Sequence, residues 1–402
     1  METVILGWYV MVQTGSVLLL TAFGSLLLLG TLVSPMFGVL GDRLGGRVML
    51  CVMRAIYTVL AAFVLLLTLT GSLAPVWVFV VATLAGIVRP NDQVMRNALI
   101  GETILPAHLM GAVGLSRATM DSARVAGALA GAALSTILGI GPTYVLVTSF
   151  YATSLALTFG VARRPLVPDP GGTPRAVSAV VSIAVPTSSR RRDLKDGLLH
   201  VLRTPELLAM MWLAFLINLT AYPVSSGLLP YVAKHVYLVG ATGLGWLAAS
   251  FAFGSSIVTV VTGGPRRPER SMLVYTAIWY AVLLGFGHVR GLGLGLPALL
   301  LAGFVQSVAM IAMTANLLAA SDDRFRGRVM GVRTLAIYGM PLGLMTSGAL
   351  IERIGYPLTI SAFSAVGLLF TLLIGIKWRA SLWQRRAQYD LDTAPHSRVG
   401  SG

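Results

Sequence analysis

Three ionisable residues, Arg117, Asp121 and Arg124, fall within one apolar stretch of this sequence at positions i, i+4 and i+7. That spacing places their side chains on one face of an α-helix. Charged side chains inside apolar spans are rare, face the protein interior or water, and mark functional sites. Two arginines and one carboxylate carry a net charge of +1 (2 − 1). We therefore predict that the cluster binds an anionic group or takes part in proton transfer; the alternative is a structural ion-pair cluster in a vestibule.

Four amide side chains also interrupt apolar stretches, and we take them as candidate cavity residues: Gln13, Asn218, Gln306 and Asn316. A lone amide in such a stretch either bonds a neighbouring helix or contacts a ligand, and both readings stay open here. The pairs Tyr222-Pro223 and Met340-Pro341 predict kinks or broken turns, because proline lacks the backbone N–H that a helix interior requires.

The residues that metal or enzymatic chemistry requires do not converge anywhere in the sequence. Cys51 is the only cysteine, and the five histidines are scattered without metal-ligand spacing. The glycine-rich segment 291–295 follows no strand and lacks the lysine of a phosphate-binding loop. We therefore predict no metal site, no cofactor, no ATP-driven pumping and no enzymatic activity.

The composition is typical of a polytopic membrane protein. Of the 402 residues, 56% are hydrophobic and only 11% are charged, and the mean hydropathy is +0.81. Backbone groups in lipid must be satisfied within the protein, so spans are either helices or strands of a closed barrel. The apolar runs are continuous, which excludes the two-residue alternation of a barrel. We predict an all-α fold.

Apolar runs of span length recur in two sets. The first set comprises 16–40, 48–70, 74–88 with a continuation to 99, 110–138 and 143–161; the second comprises 207–232, 238–263, 271–289, 292–320, 329–351 and 357–378. Residues 1–13 are apolar as well, but they extend only about 20 Å against a hydrocarbon core of about 30 Å. The first helix is thus truncated: either the sequence begins inside a longer helix, or the protein works with a half-span.

These runs divide the chain into an N-terminal transmembrane half (1–162), a linker (163–205), a C-terminal transmembrane half of six helices (206–378) and a polar tail (379–402). The linker is rich in proline and glycine. Its end, 190–204, places apolar residues at helical spacing behind basic ones, which predicts an amphipathic helix on the membrane surface. The alternative is a solvated basic linker.

A short charged loop, residues 38–47 (GVLGDRLGGR), separates the first two full-length apolar runs. If this loop is cytoplasmic, only Lys234, Arg290 and Arg353 of the 30 basic residues lie outside, and the other 27 (30 − 3) lie in cytoplasmic segments or spans. This asymmetry sets the orientation. It also accounts for the net charge of +15 without a nucleic-acid partner.

The two halves align with each other, residues 41–50 over 264–273 at an offset of 223 (264 − 41). The spacing Gly38-x-x-x-Asp42-Arg43-x-Gly45-x-Arg47 resembles the loop between helices 2 and 3 of the major facilitator superfamily, secondary transporters with two six-helix repeats. The resemblance implies a conformational latch, in which Asp42 approaches the start of the eleventh helix at 328–331 and stabilises the state closed to the cytoplasm. We expect Asp42 to pair with Arg43, or with Arg89 or Arg96 at the end of the fourth helix. The alternative is an ordinary basic turn.

The segment 127–131 (GALAG) presents small residues four apart, which lets helices pack closely. It is similar to the fifth-helix signature of drug and metabolite antiporters in the superfamily, although Ala128 stands where a proline usually follows the first glycine. The resemblance implies a proton-coupled exporter of small organic molecules that works by alternating access. We expect a monomer in contact with lipid in the inner membrane, with its linker and C-terminus in the cytoplasm. An uptake permease of the same fold and a non-transporting scaffold or sensor remain alternatives.

Overall fold

The structure is a computed structural model that describes residues 1–31, 46–103, 109–160, 199, 201–261, 268–321, 329, 332–333 and 335–378. The elements of these residues are helical, which confirms the predicted all-α class. The N-terminal half contains α1 (Glu2–Thr14), α2 (Val17–Leu26), α3 (Gly46–Leu69), α4 (Pro75–Thr103), α5 (Leu109–Ile137) and α6 (Ile140–Phe159). The C-terminal half contains α7 (Pro205–Tyr222), α8 (Ala241–Val261), α9 (Pro268–Phe286), α10 (Leu292–Ala320), α11 (Gly339–Ile354) and α12 (Tyr356–Lys377).

Six described segments are long and apolar enough to cross a membrane: Arg47–Leu69, Ile140–Phe159, Pro205–Val236, Ala241–Val258, Leu292–Leu317 and Tyr356–Lys377. Shorter apolar helices are found at Val17–Leu26, Pro75–Arg89 and Arg270–Phe286. The apolar run 1–13 forms α1, which ends where Gly15 adopts a left-handed conformation (φ 65°) and donates its N–H to the Met11 carbonyl. Residues 163–198 of the linker, with most of its proposed amphipathic helix, and the tail 379–402 lie outside the described residues.

Both proline pairs interrupt regular helix, as expected. After α7 the chain continues as a π-helix (Pro223–Gly227), a single turn (Leu229–Tyr231) and a second π-helix (Val232–Val236). Pro223 cannot donate a backbone hydrogen bond, so the turn widens and the Leu228 N–H reaches the Pro223 carbonyl. A 3₁₀ turn (Ala336–Tyr338) precedes α11, which begins at Gly339. Pro341 lies in the first turn of α11, where no N–H donor is needed.

Each half has its own apolar core. One cluster of buried side chains is formed entirely by residues between Ile5 and Val147, and the other lies between Val201 and Ile374 with the single addition of Val17. Val17 belongs to α2, which packs on the C-terminal half. The described residues thus form two separate clusters of buried apolar side chains.

The halves meet along two helix pairs, α2 with α11 and α5 with α8. Close packing requires small residues here: a Cβ on Gly348 of α11 would lie 2.2 Å from the Thr21 hydroxyl oxygen of α2, and one on Gly245 of α8 would lie 2.4 Å from the Ala132 methyl of α5. Leu344 of α11 packs against Gly24 of α2. These two seams fix how the helices that carry the polar side chains face one another.

Polar contacts join the halves at one end of the bundle, which we call the Ser16 end. The Ser16 hydroxyl donates to the Glu352 carboxylate at 3.1 Å and also caps α2 by accepting the Leu19 N–H. Lys234 donates to the Met11 and Val12 carbonyls at 2.7 and 3.3 Å, so a cation caps the C-terminus of α1 from the other half. The described residues therefore show a bundle whose halves are tied together at the Ser16 end.

Candidate functional site

A charged cluster inside the N-terminal half centres on Asp92 of α4. Its carboxylate lies 2.9 Å from the Arg54 guanidinium of α3 and 3.0 Å from that of Arg96, one turn further along α4. Arg54 and Asp92 are each only 15% exposed. One carboxylate is shared by two arginines, so the cluster keeps a charge of +1 (2 − 1).

A second carboxylate lies on the other side of the same space. Glu2 of α1 accepts a hydrogen bond of 2.7 Å from the Tyr151 hydroxyl of α6, and Tyr151 stacks on Tyr57 of α3 with 5.4 Å between ring centroids. Thr3 accepts a hydrogen bond of 3.2 Å from Arg89. A carboxylate in an apolar helix would be costly in an apolar setting, and these polar neighbours reduce that cost.

The two groups line a single cavity of about 220 Å³ between α1, α2, α3, α4 and α6. Its polar lining consists chiefly of Glu2, Arg54, Tyr57, Arg89, Asp92 and Tyr151. Because the walls are helices of one bundle, the charged side chains are held at defined distances from one another. Arg54 and Asp92 are mostly buried, which strengthens the interaction between them.

The C-terminal half has a smaller polar cluster at the break after α7. Gln306 of α10 donates to the Tyr222 hydroxyl at 2.8 Å, and Tyr222 packs edge-on against Trp279. Further along α10, the Thr314 hydroxyl accepts a hydrogen bond of 3.0 Å from Arg333, which lies in the helical turn preceding α11. In the described part of the chain, Arg333 forms no ion pair.

The predicted latch lies mostly outside the described residues: Gly38, Asp42, Arg43 and Gly45 are not described, and the pairing of Asp42 stays a prediction. Arg47, at the start of α3, donates to the Phe159 carbonyl at the end of α6. The proposed partners Arg89 and Arg96 contact Thr3 and Asp92, respectively. Arg89 thus lines the cavity of the N-terminal half, and Arg96 contacts Asp92, which lines it.

Asp121 of α5 is buried, with its side chain 8% exposed, and lies 3.5 Å from the Arg124 guanidinium, which is 60% exposed. The backbone of Arg117 lies in the same helix, but its side chain is outside the described set. The close pair agrees with the one-face spacing deduced from the sequence. Its role in anion binding stays a prediction.

The four amides fall in different environments. Gln306 belongs to the C-terminal cluster, whereas Asn218 donates to the Ala214 carbonyl of its own helix at 2.9 Å. Asn316 is buried and lies 3.9 Å from the Met272 sulfur. Gln13 is exposed near the end of α1. Of these, Gln306 is the one that the structure joins to a polar cluster formed by other helices.

Sequence reasoning did not single out Arg54, Glu2 with Tyr151, or Arg333 as site residues. Arg54 had a usable signal, because it is the single charge in the apolar run 48–70. Arg333 had a weaker form of the same signal: it is the single charge in the apolar run 329–351, but it lies four residues from the start of that run, where basic membrane flanks are common. Only the packing of α10 against the turn before α11 shows that it contacts Thr314.

Comparison with protein families gives a match for residues 3–238 to the family described as Major Facilitator Superfamily. The chain belongs to this superfamily. Its members are membrane transporters and not enzymes, so the chain is a multi-pass membrane transporter with a small-molecule substrate. Among proteins with curated annotation, none matches the sequence.

Solved structures of the superfamily share the fold of this chain. The crystal structure of the human organic anion transporter MFSD10 (TETRAN) is similar with a TM-score of 0.59 and 18% identity, over 89% of this chain and 83% of that one. The crystal structure of a mutant of the nucleoside transporter NupG is similar with a TM-score of 0.65 and 10% identity, over 94% of both chains. At these identities the likeness concerns the fold alone.

Proposed function

We propose that this superfamily member is a proton-coupled exporter of small organic molecules that works by alternating access. The observation that carries the proposal is the cavity in the N-terminal half, where the Glu2 carboxylate bonds the Tyr151 hydroxyl and the Asp92 carboxylate bonds two arginines. The carboxylate of Asp92 is paired with two guanidinium groups, whereas the hydrogen bond to the Glu2 carboxylate comes from a hydroxyl. Glu2 is therefore the proton carrier in this proposal.

The seams between the halves support the alternating-access part of the proposal. We take the Ser16 end as external, because the apolar run 16–40 begins there and leads in the sequence to the basic segment 38–47, and basic residues concentrate in cytoplasmic segments. The contacts of Lys234 with α1 and of Ser16 with Glu352 then close the external side. Rocking of the halves about α2–α11 and α5–α8 would break these contacts and open that side.

The two similar structures have different substrates by name, an organic anion in one and a nucleoside in the other. Both are small organic molecules, which supports that coarse substrate class for this chain. Export rather than uptake rests on the resemblance of segment 127–131 to antiporters. An experiment must therefore distinguish the exporter from an uptake permease and from a non-transporting scaffold or sensor.

The test uses everted membrane vesicles acidified inside by respiration, with a fluorescent dye that reports the pH difference. Cationic, neutral and anionic compounds are added in turn. A transported compound should release luminal protons in vesicles with the natural chain, not with Glu2→Gln, and partly with Glu2→Asp. Proton movement only with a compound gradient directed out of the lumen would identify an uptake symporter. Folded protein that moves no compound and exchanges none in counterflow would identify a scaffold or sensor.

A further inference from the structure

The guanidinium of Arg333 lies inside the helix bundle, and among the described residues its hydrogen-bond partner is a neutral hydroxyl. Its Nη1 atom donates to Thr314 Oγ1 at 3.0 Å, and Thr314 in turn donates to the Met310 carbonyl. A guanidinium has five N–H donors, and this contact uses one of them. Arg333 is only partly exposed, so its remaining donors are partly removed from water. Such a charge is costly unless an anion compensates it.

Thr314, which Arg333 contacts, belongs to a row of three side chains along α10. Gln306, Met310 and Thr314 are spaced by four residues and lie on one face of this helix, with about 12 Å between the first and the last along its axis. At the far end of this face, Gln306 bonds Tyr222 at the break after α7. The row thus has a positive end at Arg333 and a neutral, hydrogen-bonding end at Gln306.

The position of this row suits a ligand that binds between the halves. Arg333 precedes α11, and α11 packs on α2 of the N-terminal half through Gly348 and Leu344. The Tyr338 hydroxyl, in the 3₁₀ turn between Arg333 and α11, donates to the Thr31 carbonyl after α2 at 2.9 Å. A molecule bound at Arg333 therefore lies on an element that must move when the halves rock.

We propose that Arg333, together with Thr314 and Gln306, forms a subsite for the acidic group of an organic anion. A guanidinium binds a carboxylate or a sulfonate through paired N–H donors, and the neutral end accepts the uncharged body of the same molecule. This inference rests on the proposed transport function, because it names the substrate class of the exporter. It differs from the Arg117, Asp121 and Arg124 cluster, which lies in the other half.

The test measures the local charge with thiol reagents and requires no turnover. Cys51 is the only cysteine, so Cys51→Ser gives a background without thiols, into which Thr314→Cys is introduced. The reaction rates of an anionic ethylsulfonate and a cationic trimethylammonium methanethiosulfonate reagent are compared in purified protein. The ratio of the two rates cancels any change in thiol reactivity that the nearby arginine causes. The sulfonate reagent is itself a small organic anion.

With Arg333 present we expect the anionic reagent to be favoured, and Arg333→Gln should lower the anionic-to-cationic ratio by at least about tenfold, as expected for a charge a few ångströms away. Arg353→Gln is the control, because Arg353 is exposed at the other end of the same segment, about 30 Å away, and should leave the ratio unchanged. If Thr314→Cys does not fold, Met310→Cys provides the same comparison one turn away.

Two results would overturn the proposal. An unchanged ratio in Arg333→Gln would mean that another group already neutralises the guanidinium, and failure of both reagents to react would mean that water-soluble ligands do not reach it. Neither result depends on transport. If the anionic-to-cationic ratio falls in Arg333→Gln but the protein moves no compound, the subsite stands and the exporter is rejected. Conversely, transport with an unchanged ratio would reject the subsite alone.

Discussion

Replacing Asp92 by asparagine is the sharpest test of the charged cluster in the N-terminal half. The natural carboxylate holds Arg54 at 2.9 Å and Arg96 at 3.0 Å, and Asp92→Asn leaves both cations in place with no anion between them. Two such charges on the order of 6 Å apart repel by roughly 3 kcal/mol at an effective dielectric constant of about 20. Breaking a buried ion pair by removing one partner costs about 3 to 5 kcal/mol. Because the asparagine carbonyl still accepts one hydrogen bond, we expect a loss of about 2 to 4 kcal/mol.

The matched variant is Arg54→Met, which removes a charge from the same pair but leaves Asp92 neutralised by Arg96. Its cost should stay below about 1 kcal/mol, because a one-to-one pair remains and the methionine keeps the apolar stem packed. The double variant Asp92→Asn with Arg54→Met should recover at least half of the loss caused by Asp92→Asn. The cycle therefore separates repulsion between the arginines from simple loss of a contact.

The assay is reversible unfolding of the purified protein in mixed micelles by added sodium dodecyl sulfate, followed by circular dichroism. Free energies of unfolding of the natural chain, the two single variants and the double variant complete the cycle. A loss below about 1 kcal/mol in Asp92→Asn, or no recovery in the double variant, would refute the view that Asp92 compensates two buried cations.

Three further predictions concern movement and binding. Gly348→Leu should separate α2 from α11, because even a Cβ there meets Thr21 Oγ1 at 2.2 Å. A water-soluble thiol reagent should then label a cysteine placed in α2 more than about fivefold faster. An unchanged labelling rate would contradict close packing of α2 on α11. Asp42→Asn should slow turnover without reducing insertion, measured as transport per inserted protein, whereas normal turnover would argue for an ordinary basic turn. In proteoliposomes, Arg117→Ala should reduce transport of an acidic compound more than that of its neutral analogue, and Asp121→Asn should alter the pH dependence of transport. Equal losses for both compounds with an unchanged pH profile would indicate a structural ion pair.

The sequence by itself determined the fold class and most helix positions, for a physical reason that acts locally. A segment that spans lipid must satisfy its backbone hydrogen bonds within itself, so length and apolar composition are enough to identify it. The run 292–320 coincides with α10, and the break at Tyr222-Pro223 follows from a missing N–H in the chain itself. Shared faces are equally local, which is why the closeness of Asp121 and Arg124 could be predicted.

Only the tertiary structure decided which polar groups meet, because such contacts depend on the rotation of each helix about its axis and on which neighbours it packs against. Glu2 and Tyr151 are 149 positions apart and bond across α1 and α6, and Arg54 reaches Asp92 from a different helix. Arg333 is the single charge near the start of the apolar run 329–351, and only its contact with Thr314 shows that it lies inside the bundle and not at a membrane flank. Membrane flanks and buried sites use the same residue types, and only packing distinguishes a solvated arginine from one that requires an anion.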